Sequence, residues 1–163
     1  MTFTPTIVHL YSIGNCYFCH PDDSVCASMR YLLDNVLPFV DASRPAYEQY
    51  HAIASILATS LTSVSCMRGE SIATISDDLS SLYARKNHDY GNVWNDELDL
   101  FGILPFRIRI WEKLNRAITL LSAPDGQQVN DESVMDTITD ICNYCVMTAM
   151  WLDEHSEDTS GSR

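Results

Sequence analysis

Residues 52–64 of the chain read AIASILATSLTSV, a run without a single charged side chain. The run lies inside a longer segment that begins near Ser43, carries Pro45 in its first turn and ends between Cys66 and Gly69. Large apolar residues recur along this segment at helical spacing. They are Tyr47, Tyr50, Ile53, Ile56, Leu57 and Leu61. Because an uncharged helix surface is unfavourable in water, we expect this helix to be buried in the core or at an oligomer interface.

Four further segments show the same helical periodicity, and we predict helices over residues 22–37, 70–87, 102–121 and 130–152. There is no alternation of strands and helices and no internal repeat. The sequence therefore predicts an all-α fold, a helical bundle of about five helices.

The remaining segments are assigned from composition. Residues 6–11 fit either a short strand or the first turns of a packed arm, and residues 88–101 are predicted to form a loop rich in Asn, Asp and aromatic residues. We predict three regions: an N-terminal helical extension packed on the core (1–69), a helical core (70–153) and a disordered tail (154–163).

Charge restricts the classes of partner. Ten Lys and Arg residues against 22 Asp and Glu residues give a net charge of −12. A chain this acidic releases no counterions from a phosphate backbone, so we expect no nucleic-acid polymer and no anionic membrane surface as a partner. A nucleotide remains compatible, because a divalent cation can lie between carboxylates and phosphates.

The length of 163 residues predicts a single folded domain. No run approaches the roughly 20 apolar residues of a membrane-spanning helix, and the N-terminus lacks the charged region of a secretory signal. The six cysteines are then expected to be reduced thiols, and the protein is expected in the cytoplasm.

Two groups of cysteines have the spacing of ligand pairs. Cys16, Cys19 and His20 or Cys26 have the spacing of half a zinc site, but buried thiols beside a turn are the default interpretation. A second pair, Cys142-x-x-Cys145, falls on the apolar face of the last predicted helix, where core packing is expected.

A second notable stretch is residues 85–91, RKNHDYG, which holds two cations, an amide, an imidazole, a carboxylate and a phenol. An ordinary helix end explains the basic residues and Gly91. It does not explain why Asn87, Asp89 and Tyr90 lie in the same turn, and polar groups concentrated in this way are typical of a binding site.

Two stripes of opposite charge follow on the last two helices. One is acidic and polar and one is basic, and each lies along one helix face. They consist of Glu132, Asp136, Asp140 and Asn143, and of Arg109, Lys113 and Arg116. Such stripes are common on solvated surfaces. The functional interpretation is a Mg²⁺ site facing phosphate-binding cations, with Tyr90 or Trp94 as a stacking surface for a base.

Three blocks carry a resemblance to a known family: KNHDYG at residues 86–91, RIRIWEKLNR at 107–116 and DESVMDTITDICNY at 131–144. Together they resemble the nucleotide modification associated domain, a small helical phage and bacterial module, over about residues 72–152. The resemblance implies a role in nucleotide metabolism and does not specify a reaction.

The helical layout also resembles MazG-type and dimeric dUTPase-type pyrophosphohydrolases, which bind Mg²⁺ through Glu-x-x-Glu and Glu-x-x-Asp motifs. The present chain has no Glu-x-x-Glu before the fifth helix, and residue 137 is Thr. Asp136 would substitute, and Asp89 or Glu112 would complete the set.

The sequence thus predicts a phage-type protein that acts on a nucleotide, with three alternative functions. The first is Mg²⁺-dependent hydrolysis of a (deoxy)nucleoside triphosphate to the monophosphate, with catalysis and metal binding by Glu132, Asp136 and Asp140. The second is nucleotide binding without turnover, and the third is a structural or interaction role. A homodimer is expected. The residues predicted to bind substrate are Lys86, Asn87, Asp89, Tyr90, Arg109, Lys113, Arg116 and Asn143.

Overall fold

A computed structural model describes residues 2–17, 24–123 and 133–160. These residues form seven α-helices and no strand, so the predicted all-α class is confirmed. The helices are α1 (Phe3–Ile13), α2 (Val25–Tyr31), α3 (Ala46–Arg68), α4 (Ile72–Tyr90), α5 (Val93–Phe101), α6 (Leu104–Ser122) and α7 (Val134–Ser160). A π-helical turn (Leu32–Val36) and a 3₁₀ turn (Leu37–Phe39) continue α2.

Helix α3 is the central element of the fold. Its residues 52–61 are all buried, and it packs against α7, α1 and α4. The uncharged run therefore lies in the core of the single chain, and its burial does not require an oligomer interface. Residues 1–69 and 70–153 contribute to one hydrophobic cluster, and the boundary at residue 69 stays a prediction.

The hydroxyl groups of α3 hold the segment that follows α1. Ser55 Oγ accepts a hydrogen bond from the backbone N–H of Asn15 (3.1 Å), and Thr59 Oγ1 accepts one from that of Tyr17 (3.0 Å). Gly14 permits this close approach, because a Cβ at that position would lie 2.2 Å from the carbonyl oxygen of Ala54. Small polar residues in the run thus satisfy backbone donors that would otherwise be buried without partners.

Helices α6 and α7 pack against each other, as the two charged stripes require. Buried residues of α6 and α7 meet in the common core. They include Phe106, Ile110, Leu114, Ile138, Ile141, Cys142 and Cys145. Burial raises the pKa of both cysteine thiols, so Cys142 and Cys145 are inert core residues, as expected.

Three segments differ from the prediction. The loop predicted over 88–101 is wrong: α4 continues to Tyr90, and α5 follows after a two-residue turn. Gly91 and Gly102, with φ of +66° and +64°, end these two helices in a positive-φ conformation that is accessible mainly to glycine. Residues 6–11 belong to helix α1, so the strand alternative is wrong. The tail predicted from residue 154 is helical as far as Ser160.

The proposed zinc ligands do not converge in the part of the structure that is described. The Cys16 thiol lies 3.4 Å from Thr62 Oγ1 on α3, and the Cys26 thiol lies 3.4 Å from Ser122 Oγ on α6. Cys19 and His20 fall outside the described residues. Among the described residues, no helix has both the length and the apolar character that crossing a bilayer requires.

A candidate nucleotide cleft between α4, α5, α6 and α7

Four helices enclose a cleft of about 260 Å³ at the point where the RKNHDYG stretch meets the charged stripes. The residues that line it are Tyr83, Lys86, Asn87, Gly91, Val93, Trp94, Glu97, Arg109, Asp140, Asn143, Tyr144 and Met147. The lining therefore combines cations, carboxylates, an amide and aromatic rings.

Asp140 connects three of the four helices electrostatically. Its Oδ2 accepts from Lys113 Nζ on α6 at 2.9 Å, and its Oδ1 lies 3.5 Å from Lys86 Nζ on α4. Lys113 is largely buried, whereas Lys86 is about half exposed. The carboxylate thus holds two ammonium groups near the cleft, and the opposed stripes predicted for α6 and α7 meet at this residue.

Asn143 lies one turn further along α7 and is the least expected feature of the cleft. Its side chain is only 6% exposed. Among the residues that the structure describes, neither its amide oxygen nor its amide nitrogen has a hydrogen-bond partner. A buried polar group without a partner costs about 1–3 kcal/mol, and both atoms belong to a residue that lines the cleft. The position is therefore suited to a ligand that supplies a donor and an acceptor side by side.

Two aromatic side chains form one wall. The rings of Trp94 and Tyr144 pack with centroids 4.7 Å apart and planes inclined by 58°. Trp94 Nε1 donates to Thr148 Oγ1 (3.2 Å), which fixes the indole, and Lys113 Nζ lies 5.9 Å from the centre of the Tyr144 ring. An anchored indole presents a rigid surface for stacking.

Asp136 has a structural partner at the start of α7. Its Oδ2 accepts from the Ser133 hydroxyl (2.7 Å) and the Ser133 backbone N–H (3.0 Å), while Ser133 Oγ accepts from the Asp136 N–H (3.0 Å). This reciprocal pair is a capping box. The two hydrogen bonds from Ser133 hold the pKa of the Asp136 carboxyl below its usual value, the hydroxyl contributing most.

The structure brings together five of the predicted site residues: Lys86, Asn87, Arg109, Asp140 and Asn143 all line the cleft. Lys113 joins them through its ion pair with Asp140.

The other predicted residues are placed as follows. Arg116 is exposed and does not line the cleft, and Asp136 lies in the helix cap. Glu132 and the side chains of Asp89 and Tyr90 lie outside the part of the structure that is described.

Sequence reasoning missed Glu97, Tyr144, Tyr83 and Met147. Glu97 lies on α5, and the amino-acid composition of α5 predicts a loop. Tyr144 and Met147 follow Asp140 at i+4 and i+7, so the same helical spacing that aligned the acidic stripe was a signal for them.

The described residues do not fit the predicted Mg²⁺ site. No group of three His, Cys, Asp or Glu side chains suited to a metal ion occurs among the residues that the structure describes. Asp140 is engaged by two lysines, and Asp136 is engaged by Ser133. The magnesium prediction therefore stays a prediction that depends on Glu132.

Comparison with known proteins bears on the same part of the chain. The family model of nucleotide modification associated domain 1 matches residues 86–152, from Lys86 on α4 to Leu152 on α7. Over this segment the chain is similar to that family. The matched range contains every residue of the cleft except Tyr83. Neither the curated proteins nor the solved structures gave a match, and the similarity to MazG-type enzymes stays a prediction.

The cap assignment of Asp136 predicts a stability effect. Asp136→Ala should lower the free energy of unfolding by about 1 kcal/mol at neutral pH, as loss of a helix cap does. Because the folded pKa is depressed, the carboxylate stabilises the fold above its unfolded pKa, and this contribution is lost as pH falls through the folded pKa. Urea denaturation over a pH series should show the gap between wild type and variant closing in acid.

Ser133→Ala provides the matched control, because it removes the other half of the box. The double variant should lose no more stability than the larger single loss. Equal stability of wild type and Asp136→Ala at neutral pH would contradict the assignment.

Proposed function

We propose that this protein binds a nucleotide in the cleft, with the base against Asn143 and the phosphate toward Lys86 and Arg109. The observation that carries the proposal is the buried Asn143 amide, which has no hydrogen-bond partner in the described ranges of the chain. The edge of a nucleobase offers neighbouring donor and acceptor atoms, which an asparagine side chain pairs with through two hydrogen bonds. The family description, nucleotide modification associated, agrees with this class of ligand.

The aromatic wall supports the orientation of the base. Stacking of a base on an aromatic side chain stabilises binding by about 1–3 kcal/mol and tolerates any base. Trp94 is fixed by its hydrogen bond to Thr148, so little side-chain entropy is lost when a base stacks on it. Stacking therefore supplies affinity, while Asn143 supplies the polar recognition.

Size and charge favour a position of the phosphate at the mouth of the cleft. A volume of about 260 Å³ is slightly below the range of about 300–1,000 Å³ found for complete small-molecule pockets. The cleft thus accommodates a base and its sugar, and the phosphate extends to the exposed side chains of Lys86 and Arg109. Guanidinium and ammonium groups are the side chains that bind phosphate oxygens most strongly.

Binding through Asn143 is tested by titration of the pure protein with ribo- and deoxynucleoside mono- and triphosphates. Asn143→Ala should weaken binding of the preferred nucleotide by about tenfold or more, because the variant lacks both hydrogen bonds. Thermal stability of the free variant should not fall, since the amide has no hydrogen-bond partner among the residues described in the structure.

Asn115→Ala is the control, because the Asn115 amide bonds only the Trp111 carbonyl of its own helix and lies outside the cleft. Inorganic phosphate serves as the ligand control. No shift in melting temperature with any nucleotide, or equal affinity of wild type and Asn143→Ala, would overturn the proposal.

Hydrolysis of a nucleoside triphosphate is the second candidate. The observation in its favour is the Asp140 carboxylate, which lines the same cleft as Asn143. This hydrolysis requires a metal site that includes Glu132. It is measured directly as Mg²⁺-dependent formation of nucleoside monophosphate and pyrophosphate.

Asp140→Asn separates the two candidates. In the presence of EDTA the variant should bind nucleotide about fivefold more tightly, because the carboxylate no longer competes with phosphate for Lys86 and Lys113. With Mg²⁺, an Asp140 that holds a catalytic metal would instead make the variant inactive. Asp77→Asn, on the exposed face of α4, makes the same change in net charge and controls for long-range effects. Weaker binding by Asp140→Asn in EDTA would contradict the competition.

We also propose that the predicted homodimer forms through an apolar stripe on α5 and α6. The stripe consists of five exposed residues: Leu100, Phe101, Leu104, Ile108 and Trp111. Contiguous apolar surface of this kind marks an interaction site, and a twofold axis brings the same stripe of two copies together.

The dimer is checked by size-exclusion chromatography with light scattering. Trp111→Glu should convert a dimer to a monomer, because it places a charge in the apolar contact. Val8→Glu, at a similarly exposed position on α1, should leave the mass unchanged. A wild-type protein that elutes as a monomer at all concentrations would refute the interface.

A further inference from the structure

A second, larger cavity of about 880 Å³ lies between α1, α3, the turns after α2 and the end of α7. It shares no lining residue with the nucleotide cleft. Its volume falls within the range of small-molecule sites, about 300–1,000 Å³. Nearly all of its lining precedes the segment that matches the family, so nothing in the family description accounts for it.

The walls of the cavity are rich in aromatic rings. Tyr17, Phe39, Tyr47 and Tyr50 line it together with His9 and His51. Tyr47 is 72% exposed and lies at the opening, whereas Tyr50 is half-buried. The faces of such rings carry negative potential, which attracts cations.

The charged groups of the lining have one sign. Glu48 and Asp153 line the cavity, and no lysine or arginine is among its lining residues in the described part of the chain. The Tyr50 hydroxyl donates to Asp153 Oδ2 at 3.4 Å. Burial and the adjacent Asp153 charge raise the pKa of Tyr50 to about 12, so the phenol stays protonated.

One cationic side chain of the protein, Arg44, contacts both a ring and a carboxylate at the rim of the cavity. The guanidinium of Arg44 lies 4.7 Å over the ring of Phe39, and its Nη1 lies 3.5 Å from Glu48 Oε2. Arg44 is about half exposed and does not line the cavity itself. The contact shows that a ring and a carboxylate of this lining together hold a cationic group.

The backbone around the cavity is also unusual. Asn35 and Val36 reach the cavity from the π-helical turn at Leu32–Val36. Turns of this type are rare and occur frequently at functional sites, because the wider turn redirects side chains.

We propose that this cavity binds an organic cation, an ammonium group on an aromatic or apolar body, with the ammonium at Asp153 and Tyr50. A phosphate or carboxylate ligand would meet Glu48 and Asp153 but no lysine or arginine among the described lining residues. A neutral ligand would gain the apolar contacts but not the attraction to Asp153 and to the ring faces.

Three probes of nearly equal size test the charge preference by isothermal titration calorimetry: 2-phenylethylamine, 2-phenylethanol and phenylacetate. The amine should bind at least tenfold more tightly than the alcohol, and phenylacetate should not bind. Equal affinity for all three probes, or no binding of the amine, would overturn the proposal.

Variants locate the site. Asp153→Asn should weaken binding of the amine by fivefold or more and leave binding of the alcohol unaffected. Asp34→Asn is the control: Asp34 is exposed on the π-helical turn and does not line the cavity, so this variant should bind the amine like wild type. An equal loss in both variants would refute the assignment.

Two further variants keep the test decisive. If Asp153→Asn does not fold, Tyr47→Ala removes an exposed ring from the opening and should still weaken amine binding. Asn143→Ala should bind the amine normally, so failure of nucleotide binding and failure of this proposal are distinguishable. A Tyr47→Ala protein with unchanged amine affinity would count against the aromatic wall.

Discussion

The burial of α3 is the constraint on which the rest of the structure depends. An uncharged helix can be placed at the centre of the chain only if other helices surround it, and α1, α4 and α7 do so. The same helix carries serine and threonine hydroxyls that accept hydrogen bonds from the segment after α1. These hydroxyls make the run less apolar than a leucine-rich helix, yet they fix the position of the N-terminal segment over it.

Burial of α3 also positions the cleft between α4, α5, α6 and α7. Because α7 packs on α3 with one face, the adjacent face carrying Asp140 and Asn143 is turned toward α4 and α6. Two lysines from those helices then meet the Asp140 carboxylate. The cleft is thus a by-product of core packing with a few polar groups added at its edge.

The sequence predicted the parts of the molecule that depend on periodicity. The burial of residues 52–61, the packing of α6 on α7 and the contact of Lys113 with Asp140 all follow from helical spacing. It did not predict α5, because a nine-residue helix rich in Asn, Asp and aromatic residues has the composition of a loop. Tertiary contacts stabilise this helix, through burial of Leu98 and the packing of Trp94 on Tyr144. Nor did spacing show that Ser133 engages Asp136, or that Asn143 is buried without a partner, since both depend on side-chain position in three dimensions.

Helix α7 runs without a break from Val134 to Ser160, and both cavities are built on it. Met147 lines one and Leu152 lines the other, so only about one and a half turns, roughly 8 Å of helix axis, separate them. A helix is stiff over so short a length, and it transmits a rotation or an axial shift from one end to the other. The two cavities therefore share one stiff element, and if a ligand in one cavity displaced this helix, the free energy of binding in the other would change, with an equal effect in the reverse direction.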